Sequence, residues 1–209
     1  MIDKNIFFIF STARCRSTWF ANFFTYKNTF CYNEESRYMS CLDDIYERVS
    51  QRKEYNVGFS DPELFHYIEK IHKEFPTARY LFLERDLQDS LESLHNISSI
   101  PKNILIPKYS VWEKNICYLK NNMNFHTINF NSMDDVLSVS SAWKYILPEE
   151  EFDVGRYELL SSMLISVTIA NKPYNIHPNS ISPYFDLKKI HNIKNEEFHY
   201  NSSIPKIII

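Results

Sequence analysis

The chain has 209 residues, of which 44% are hydrophobic and 16% aromatic, and its formal net charge at pH 7 is −3. This length suits one domain with a substantial hydrophobic core, and the charge argues against a general electrostatic attraction to nucleic acid or anionic lipid. Only two glycines occur, Gly58 and Gly155, which excludes the glycine-rich phosphate loop of ATP- and GTP-binding proteins and the Gly-x-Gly-x-x-Gly turn of dinucleotide-binding proteins.

The cysteines and the hydropathy pattern bear on where the protein resides. Cys15, Cys31, Cys41 and Cys117 lack the spacing of metal ligands, and no apolar stretch reaches transmembrane length. The N-terminus carries Asp3 and lacks the basic region and cleavage site of a signal peptide. We therefore expect a cytoplasmic protein with reduced thiols, no metal and no membrane span. No sequence pattern fixes the oligomeric state.

Apolar runs alternate with amphipathic segments along the chain. The predicted strands cover residues 6–10, 28–33, 54–59, 78–84 and 125–130. The predicted helices cover residues 17–26, 36–51, 62–75, a segment through 87–94, 109–122, 133–147 and 156–169. This alternation predicts an α/β fold with three α/β/α layers around a five-stranded, mainly parallel sheet.

The segments between and after these elements are harder to assign. Residues 97–107 contain two prolines and are predicted as a loop or irregular crossover. From about residue 172 the periodicity fades into sequence rich in Pro, Asn and Tyr. We therefore place one α/β domain at residues 1–170 and an appendage, extended or partly disordered, at residues 171–209.

The connection between the first strand and the first helix contains two arginines, Arg14 and Arg16, within the sequence STARCRSTW at residues 11–19. The free amide groups and the positive dipole end of a helix N-terminus attract anions. Ligands of parallel α/β sheets also bind beyond the carboxyl ends of the strands. The pattern therefore predicts an anion site here, with an ordinary surface connection and solvated arginines as the alternative.

Residues 12–24, TARCRSTWFANFF, resemble the 5′-phosphosulfate-binding loop of sulfotransferases, whose common form is Pro-Lys/Arg-Ser-Gly-Thr-Thr-Trp-Leu. These enzymes use 3′-phosphoadenosine 5′-phosphosulfate (PAPS) as the sulfuryl donor. The alignment sets Arg14 at the Lys/Arg position, Cys15 at the serine and Arg16 at the glycine, and it matches Thr-Thr-Trp with Ser17, Thr18 and Trp19.

A second stretch, YLFLERDLQDSLES at residues 80–93, resembles the family motif that binds the 3′-phosphate of PAPS. That motif is a strand ending in Arg, then Asn/Asp-Pro-x-Asp, with a Ser eight residues after the Arg. Here Arg85, Asp86, Asp89 and Ser93 match it, whereas Leu87 replaces the proline. The Arg-Lys-Gly segment that completes this site in many sulfotransferases is missing from the sequence. The resemblance spans roughly residues 4–165 and is to a short branch found in phages and bacteria.

The resemblance implies a P-loop NTPase-like fold, a PAPS cofactor and a small-molecule, glycan or lipid acceptor with a hydroxyl or amine. It implies that the cofactor is bound by Arg14, Cys15, Arg16, Ser17, Thr18, Trp19, Arg85 and Ser93. For Trp19, a place in the hydrophobic core is the alternative to stacking on adenine. The sequence carries no readable code for the acceptor, whose contacts we expect within residues 31–52, 97–109 and the segment after 172.

Three residues are candidates for catalysis. Arg14 would stabilise the charge that develops on the leaving phosphate. Glu34 follows the second strand, where several family branches carry a catalytic glutamate, and Asp61 follows the third strand; either would serve as the general base. Helix capping or a surface position is the alternative for both carboxylates. Two other functions stay open: a non-catalytic nucleotide-binding or interaction protein, and a divergent P-loop kinase.

Overall fold

The computed structural model describes residues 4–98, 101–162, 165–169, 172–176 and 198–199. Its main sheet has five strands: β1 (Asn5–Ser11), β2 (Thr29–Asn33), β3 (Asn56–Ser60), β4 (Arg79–Glu84) and β5 (His126–Asn129). The strand order is β2-β3-β1-β4-β5, and every neighbouring pair is parallel. The predicted α/β class with a five-stranded sheet is confirmed.

The helices are α1 (Ser17–Phe24), α2 (Asp43–Gln51), α3 (Ile68–Glu74), α4 (Leu87–Ser98), α5 (Lys102–Asn122), α6 (Val136–Ile146) and α7 (Val154–Ser162). Short 3₁₀ turns occupy Glu35–Tyr38, Leu64–Tyr67 and Phe130–Ser132. None of the helices in the described ranges has the length and apolar character needed to span a membrane.

The central strand β1 explains why the helices lie on both faces of the sheet. Successive side chains of a strand point to opposite faces, and Phe7 and Ile9 pack with helices α1, α6 and α7, whereas Phe8 and Phe10 pack with α2, α3 and α5. All four side chains are at most 1% exposed. A strand buried on both faces reads as a continuous apolar run, and the result is a three-layer α/β/α arrangement.

Gly58 in β3 makes room for one of these side chains. It lies opposite Phe7 in the parallel register of β1 and β3. A Cβ atom at residue 58 would lie 2.1 Å from two carbons of the Phe7 ring. The glycine therefore permits a phenylalanine at the centre of the sheet.

The prediction of a loop at residues 97–107 is wrong, because α5 begins at Lys102 and contains Pro107. Proline lacks the amide that would donate to the carbonyl one turn earlier. Leu105 and Trp112, two turns apart, are each only 2% exposed. Their burial offsets the missing hydrogen bond. Tertiary packing of this kind cannot be predicted from the local sequence around a proline.

The predicted helix over residues 156–169 is also partly wrong. It ends at Ser162, and β6 (Ile165–Ile169) follows as a strand. The ISVTI sequence of β6 is rich in β-branched residues, which favour strands. It pairs antiparallel with β7 (Lys172–Ile176) and parallel with β8 (Phe198–His199). The domain division at residue 170 stays a prediction, and most of the expected appendage lies outside the described residues.

Candidate functional site

Four of the predicted site segments lie at one edge of the main sheet. The loop after β1, Glu34 after β2, Asp61 after β3 and Arg85 after β4 all follow the carboxyl ends of adjacent parallel strands. Hydrogen bonds join these ends, since the Ser60 hydroxyl donates to the Ser17 carbonyl over 2.8 Å. The topology therefore creates the kind of crevice in which ligands of parallel sheets bind.

The loop at residues 12–16, called the arginine loop below, has an unusual backbone. Arg14 and Arg16 have φ angles of 65° and 58°, in the left-handed region that non-glycine residues seldom adopt. The Arg85 guanidinium donates to the Arg14 carbonyl over 2.8 Å. The Thr12 hydroxyl lies 3.0 Å from that of Ser90 on α4. The arginine loop is thus fixed to the segment that carries the second motif.

Arg16 and Arg85 converge on a single aromatic ring. Their guanidinium carbons lie 5.4 Å and 4.3 Å, respectively, from the centroid of Phe130. Arg16 also makes a two-pronged ion pair with Asp134, with N···O distances of 2.5 and 3.1 Å. The Nε atom of Arg85 is buried and has no hydrogen-bond partner in the described part of the chain. The arginines of both motifs therefore lie side by side.

Arg14 is placed differently from the other two arginines. Its side chain is exposed, and within the described ranges no hydrogen bond or ion pair engages its guanidinium. Burial raises the pKa of the nearby Glu34 carboxyl, and the charge of Arg14 is one of the causes that oppose this rise. Arg14 is therefore an exposed cation in the loop after β1, available to an incoming anion.

The remaining residues of the first motif differ in exposure. Ser17 is buried and Thr18 half-buried at the start of α1. Cys15 is fully buried, and burial is the main cause that raises the pKa of its thiol, which keeps it neutral. Trp19 is 4% exposed, donates from Nε1 to the Leu160 carbonyl over 3.3 Å and stacks in the core. Its packing favours the role of core anchor over that of adenine platform.

Helix α4 carries the second motif. Asp86 caps it by accepting hydrogen bonds from the backbone amides of Gln88 and Asp89 at 2.8 and 3.0 Å. Ser93, the predicted 3′-phosphate ligand, is half-buried on this helix. Ser90, which no motif indicated, is fully buried and contacts Thr12. The sequence signal for Ser90 is its position four residues before Leu94 on α4, which sets both side chains on the same face of the helix.

Glu34 has the features of a perturbed carboxylate. Its φ is 52°, and its Oε2 lies 2.6 Å from the Arg37 guanidinium. Burial raises the pKa of Glu34; Arg37 opposes this shift, and the carboxylates of Asp61 and Glu63 add to it. A carboxylate with a raised pKa is a stronger base, so the environment suits proton abstraction.

Asp61 is 1% exposed, and its carboxylate accepts hydrogen bonds from two backbone amides. Its Oδ2 accepts from the Ser36 amide and its Oδ1 from the Glu63 amide, each over 2.8 Å. Burial raises the pKa of Asp61, and these hydrogen bonds oppose the shift. With both carboxylate oxygens engaged, the geometry favours its capping role, and Glu34 is the better placed of the two bases.

A cavity of about 630 Å³ is lined by Arg37, the ion-pair partner of Glu34, and by Glu63, whose amide donates to Asp61. It is lined by residues from two segments, 36–42 and 63–70. Both segments were predicted as parts of continuous helices, at 36–51 and 62–75. In the structure each opens with a 3₁₀ turn before its α-helix begins, and the cavity lies between the two. Segment 36–42 lies within the range 31–52 that was expected to contact the acceptor. No acceptor contact was predicted for segment 63–70.

Among the described residues, no group of His, Cys, Asp and Glu side chains is arranged to hold a metal ion. Comparison with models of known protein families and with curated proteins finds no match to this chain.

Proposed function

We propose that the protein is a PAPS-dependent sulfotransferase that moves a sulfuryl group to a hydroxyl or amine acceptor. The observation that carries the proposal is the convergence of Arg16 and Arg85 on Phe130. The two motifs lie 71 residues apart at Arg14 and Arg85, yet a hydrogen bond joins them. In PAPS the 5′- and 3′-phosphates are separated only by one edge of the ribose, so a donor of this kind requires two neighbouring cationic sites.

The backbone of the arginine loop supports the alignment behind this proposal. Arg16 occupies the position at which the sulfotransferase loop has glycine. Its φ of 58° is one that glycine adopts without steric cost. The chain thus retains the glycine-like turn although it has an arginine there. Retention of a strained backbone is common at functional sites.

The residues of this site have separable roles in the proposed reaction. PAPS supplies, when bound, a sulfuryl group on a good leaving phosphate. Arg16 and Arg85 hold the two phosphate ends through charge-assisted hydrogen bonds. Arg14 and the amides at the start of α1 stabilise the negative charge that develops on the leaving oxygen. Glu34 takes the proton from the acceptor hydroxyl or amine as the new O–S or N–S bond forms.

The test is calorimetric titration with 3′-phosphoadenosine 5′-phosphate (PAP). Each charge-assisted hydrogen bond contributes about 1.5–3 kcal/mol, so three arginines support an affinity of about 8 kcal/mol, which is micromolar. Arg85→Ala should lose about 2 kcal/mol of PAP affinity. Lys144→Ala, which removes an exposed cation of α6, is the control and should bind as the wild type does. A folded protein that shows no binding at millimolar PAP would refute the proposal.

The second candidate, a non-catalytic nucleotide-binding protein, is favoured by one contact. Glu34 is held by Arg37 over 2.6 Å, and a general base must leave that ion pair or act from within it. PAP binding without transfer to a panel of glycan, lipid and small-molecule acceptors would support this alternative. Tighter binding of ATP than of PAP would instead support the divergent kinase.

A further inference from the structure

The cavity beside Glu34 has apolar walls and an uneven distribution of charge. Met39 and Leu42 line one side, and Leu64 and Tyr67 line the other. Tyr67 is 49% exposed, a large proportion for an aromatic side chain of a cavity wall. A volume of about 630 Å³ lies within the range typical of pockets for small organic molecules. The walls therefore suit a compact molecule with an apolar body.

Most charges around the cavity are neutralised by neighbours. Arg37 pairs with Glu34, and Lys108 pairs with Glu63 over 3.0 Å. His66 lies 3.6 Å from Glu63, and burial is the main cause that lowers the pKa of His66, which favours its neutral form at pH 7. Each of these pairs therefore contributes no net charge to the cavity.

Lys70 is the exception among the lining residues. It is exposed, and no ion pair with it occurs in the ranges that the structure describes. Its ammonium group is therefore the cation of the cavity lining that has no carboxylate partner in those ranges. An anionic group on the occupant would complement that charge, whereas a second cation would be repelled.

The position of Lys70 also sets the geometry of the occupant. Glu34, Arg37 and Glu63 lie close together, since both neighbours shift the pKa of Glu34. Lys70 comes seven residues after Glu63, along the 3₁₀ turn Leu64–Tyr67 and the start of α3, a separation of roughly 10–13 Å at the rises of these helices. Glu63, the lining residue whose charge acts on Glu34, is therefore well separated from Lys70 along one cavity wall.

We propose that this cavity binds the acceptor, and that the acceptor has an apolar body with a hydroxyl or amine at one end and an anionic group at the other. The anionic group pairs with Lys70, and the hydroxyl or amine is directed to Glu34. The identification of the occupant as the acceptor rests on the proposed function, whereas the preference for an apolar anion does not.

A charge series on one ring system tests the proposal: 6-hydroxy-2-naphthoate, its neutral amide and the cationic 6-aminomethyl-2-naphthol, titrated by their own fluorescence. The naphthoate should bind about fivefold more tightly than the amide, the upper range for an exposed ion pair, and the cation should bind most weakly. Lys70→Gln should lower the affinity for the naphthoate to that for the amide. Lys73→Gln, on the same helix and outside the cavity, should keep the preference.

Two further measurements separate the possible failures. Met39→Trp fills the cavity and should weaken all three ligands, which excludes binding elsewhere on the surface. Equal affinities across the charge series, undetectable binding of all three ligands, or an unchanged preference in Lys70→Gln would overturn the proposal. PAP titration of the same samples tests the proposed function independently, because the residues proposed to bind PAP are Arg85 and those of the arginine loop, none of which lines the cavity.

Discussion

Arg16 combines a left-handed backbone with a two-pronged ion pair to Asp134. The side chain of Arg16 is 27% exposed and that of Asp134 is 74% exposed. An ion pair so open to solvent contributes about 0–1 kcal/mol, which at most offsets the cost of about 1–3 kcal/mol for a left-handed non-glycine residue. Stability therefore gives little reason for an arginine at this position, and anion binding gives a direct one.

Substitution of Arg16 should affect the stability of the fold and the affinity for PAP differently. Arg16→Gly should leave the free energy of unfolding unchanged or raise it by up to about 2 kcal/mol, because the released strain equals or exceeds the contribution of the lost ion pair. The same change should lower PAP affinity by about 2 kcal/mol, the contribution of one charge-assisted hydrogen bond. Denaturant unfolding and calorimetry measure the two quantities. Unchanged PAP affinity would show that Arg16 serves only to bind Asp134.

Glu34 allows a prediction about pH. The general base proposed here must be ionised to act, so turnover should rise as pH increases through the raised pKa of Glu34. Burial raises the pKa of Glu34, and the positive charge of Arg37 opposes that rise. Arg37→Ala removes the opposing charge, so the acid limb of the pH–rate profile should move to higher pH. The position of the limb, and not the absolute rate, is the quantity to measure.

Glu34→Gln is the matched variant for this experiment. It should lower turnover by about 10²–10⁴ and leave PAP affinity unchanged. Normal turnover by the Gln variant, or an acid limb that stays in place in Arg37→Ala, would assign the proton transfer to another group.

At the level of secondary structure, helix α1 is fixed at its C-terminal end by a distant arginine. Arg156, in the first turn of α7, donates to the carbonyls of Asn22, Phe23 and Thr25 at 2.5, 3.0 and 2.7 Å. These carbonyls lack helical partners, and the negative end of the helix dipole favours a cation. Because α1 begins at the arginine loop, this contact helps to hold the loop against the sheet.

The two glycines of the chain provide a matched test of the sheet. Gly58→Ala should destabilise the protein by about 1–3 kcal/mol, the range for overpacking, because its Cβ would lie 2.1 Å from the buried Phe7 ring. Gly155→Ala should be neutral or stabilising by up to about 1 kcal/mol, since its nearest contact is Asp153 Oδ1 at 3.4 Å near the start of α7. Urea unfolding measures both; similar effects would contradict the close packing of β1 and β3.

Across the whole molecule, the parts that sequence could predict are those with a local signal. The apolar runs of β1 and β4 correctly predict these strands, and the polar residues that follow the strands lie at one edge of the sheet, as expected. The Arg16–Asp134 pair spans 118 residues, and no local pattern predicts it. The start of α5 and the cavity were missed for the same reason. Both depend on packing between segments that are far apart in sequence.

Binding of PAP should stabilise the whole fold through local charges. Because its net charge is −3, attraction of a polyanion must come from the local arginines and not from the overall field. PAP at a concentration of 100 times its Kd should stabilise the fold by about 2.7 kcal/mol, a rise in Tm of about 5–10 °C for a chain of this size. At equal concentration, 5′-AMP and 3′-AMP should each give a smaller shift, since each fills one of the two sites. Arg85→Ala should reduce the PAP shift towards that of 5′-AMP. A shift as large for either monophosphate as for PAP would mean that the two arginine clusters do not act on one ligand.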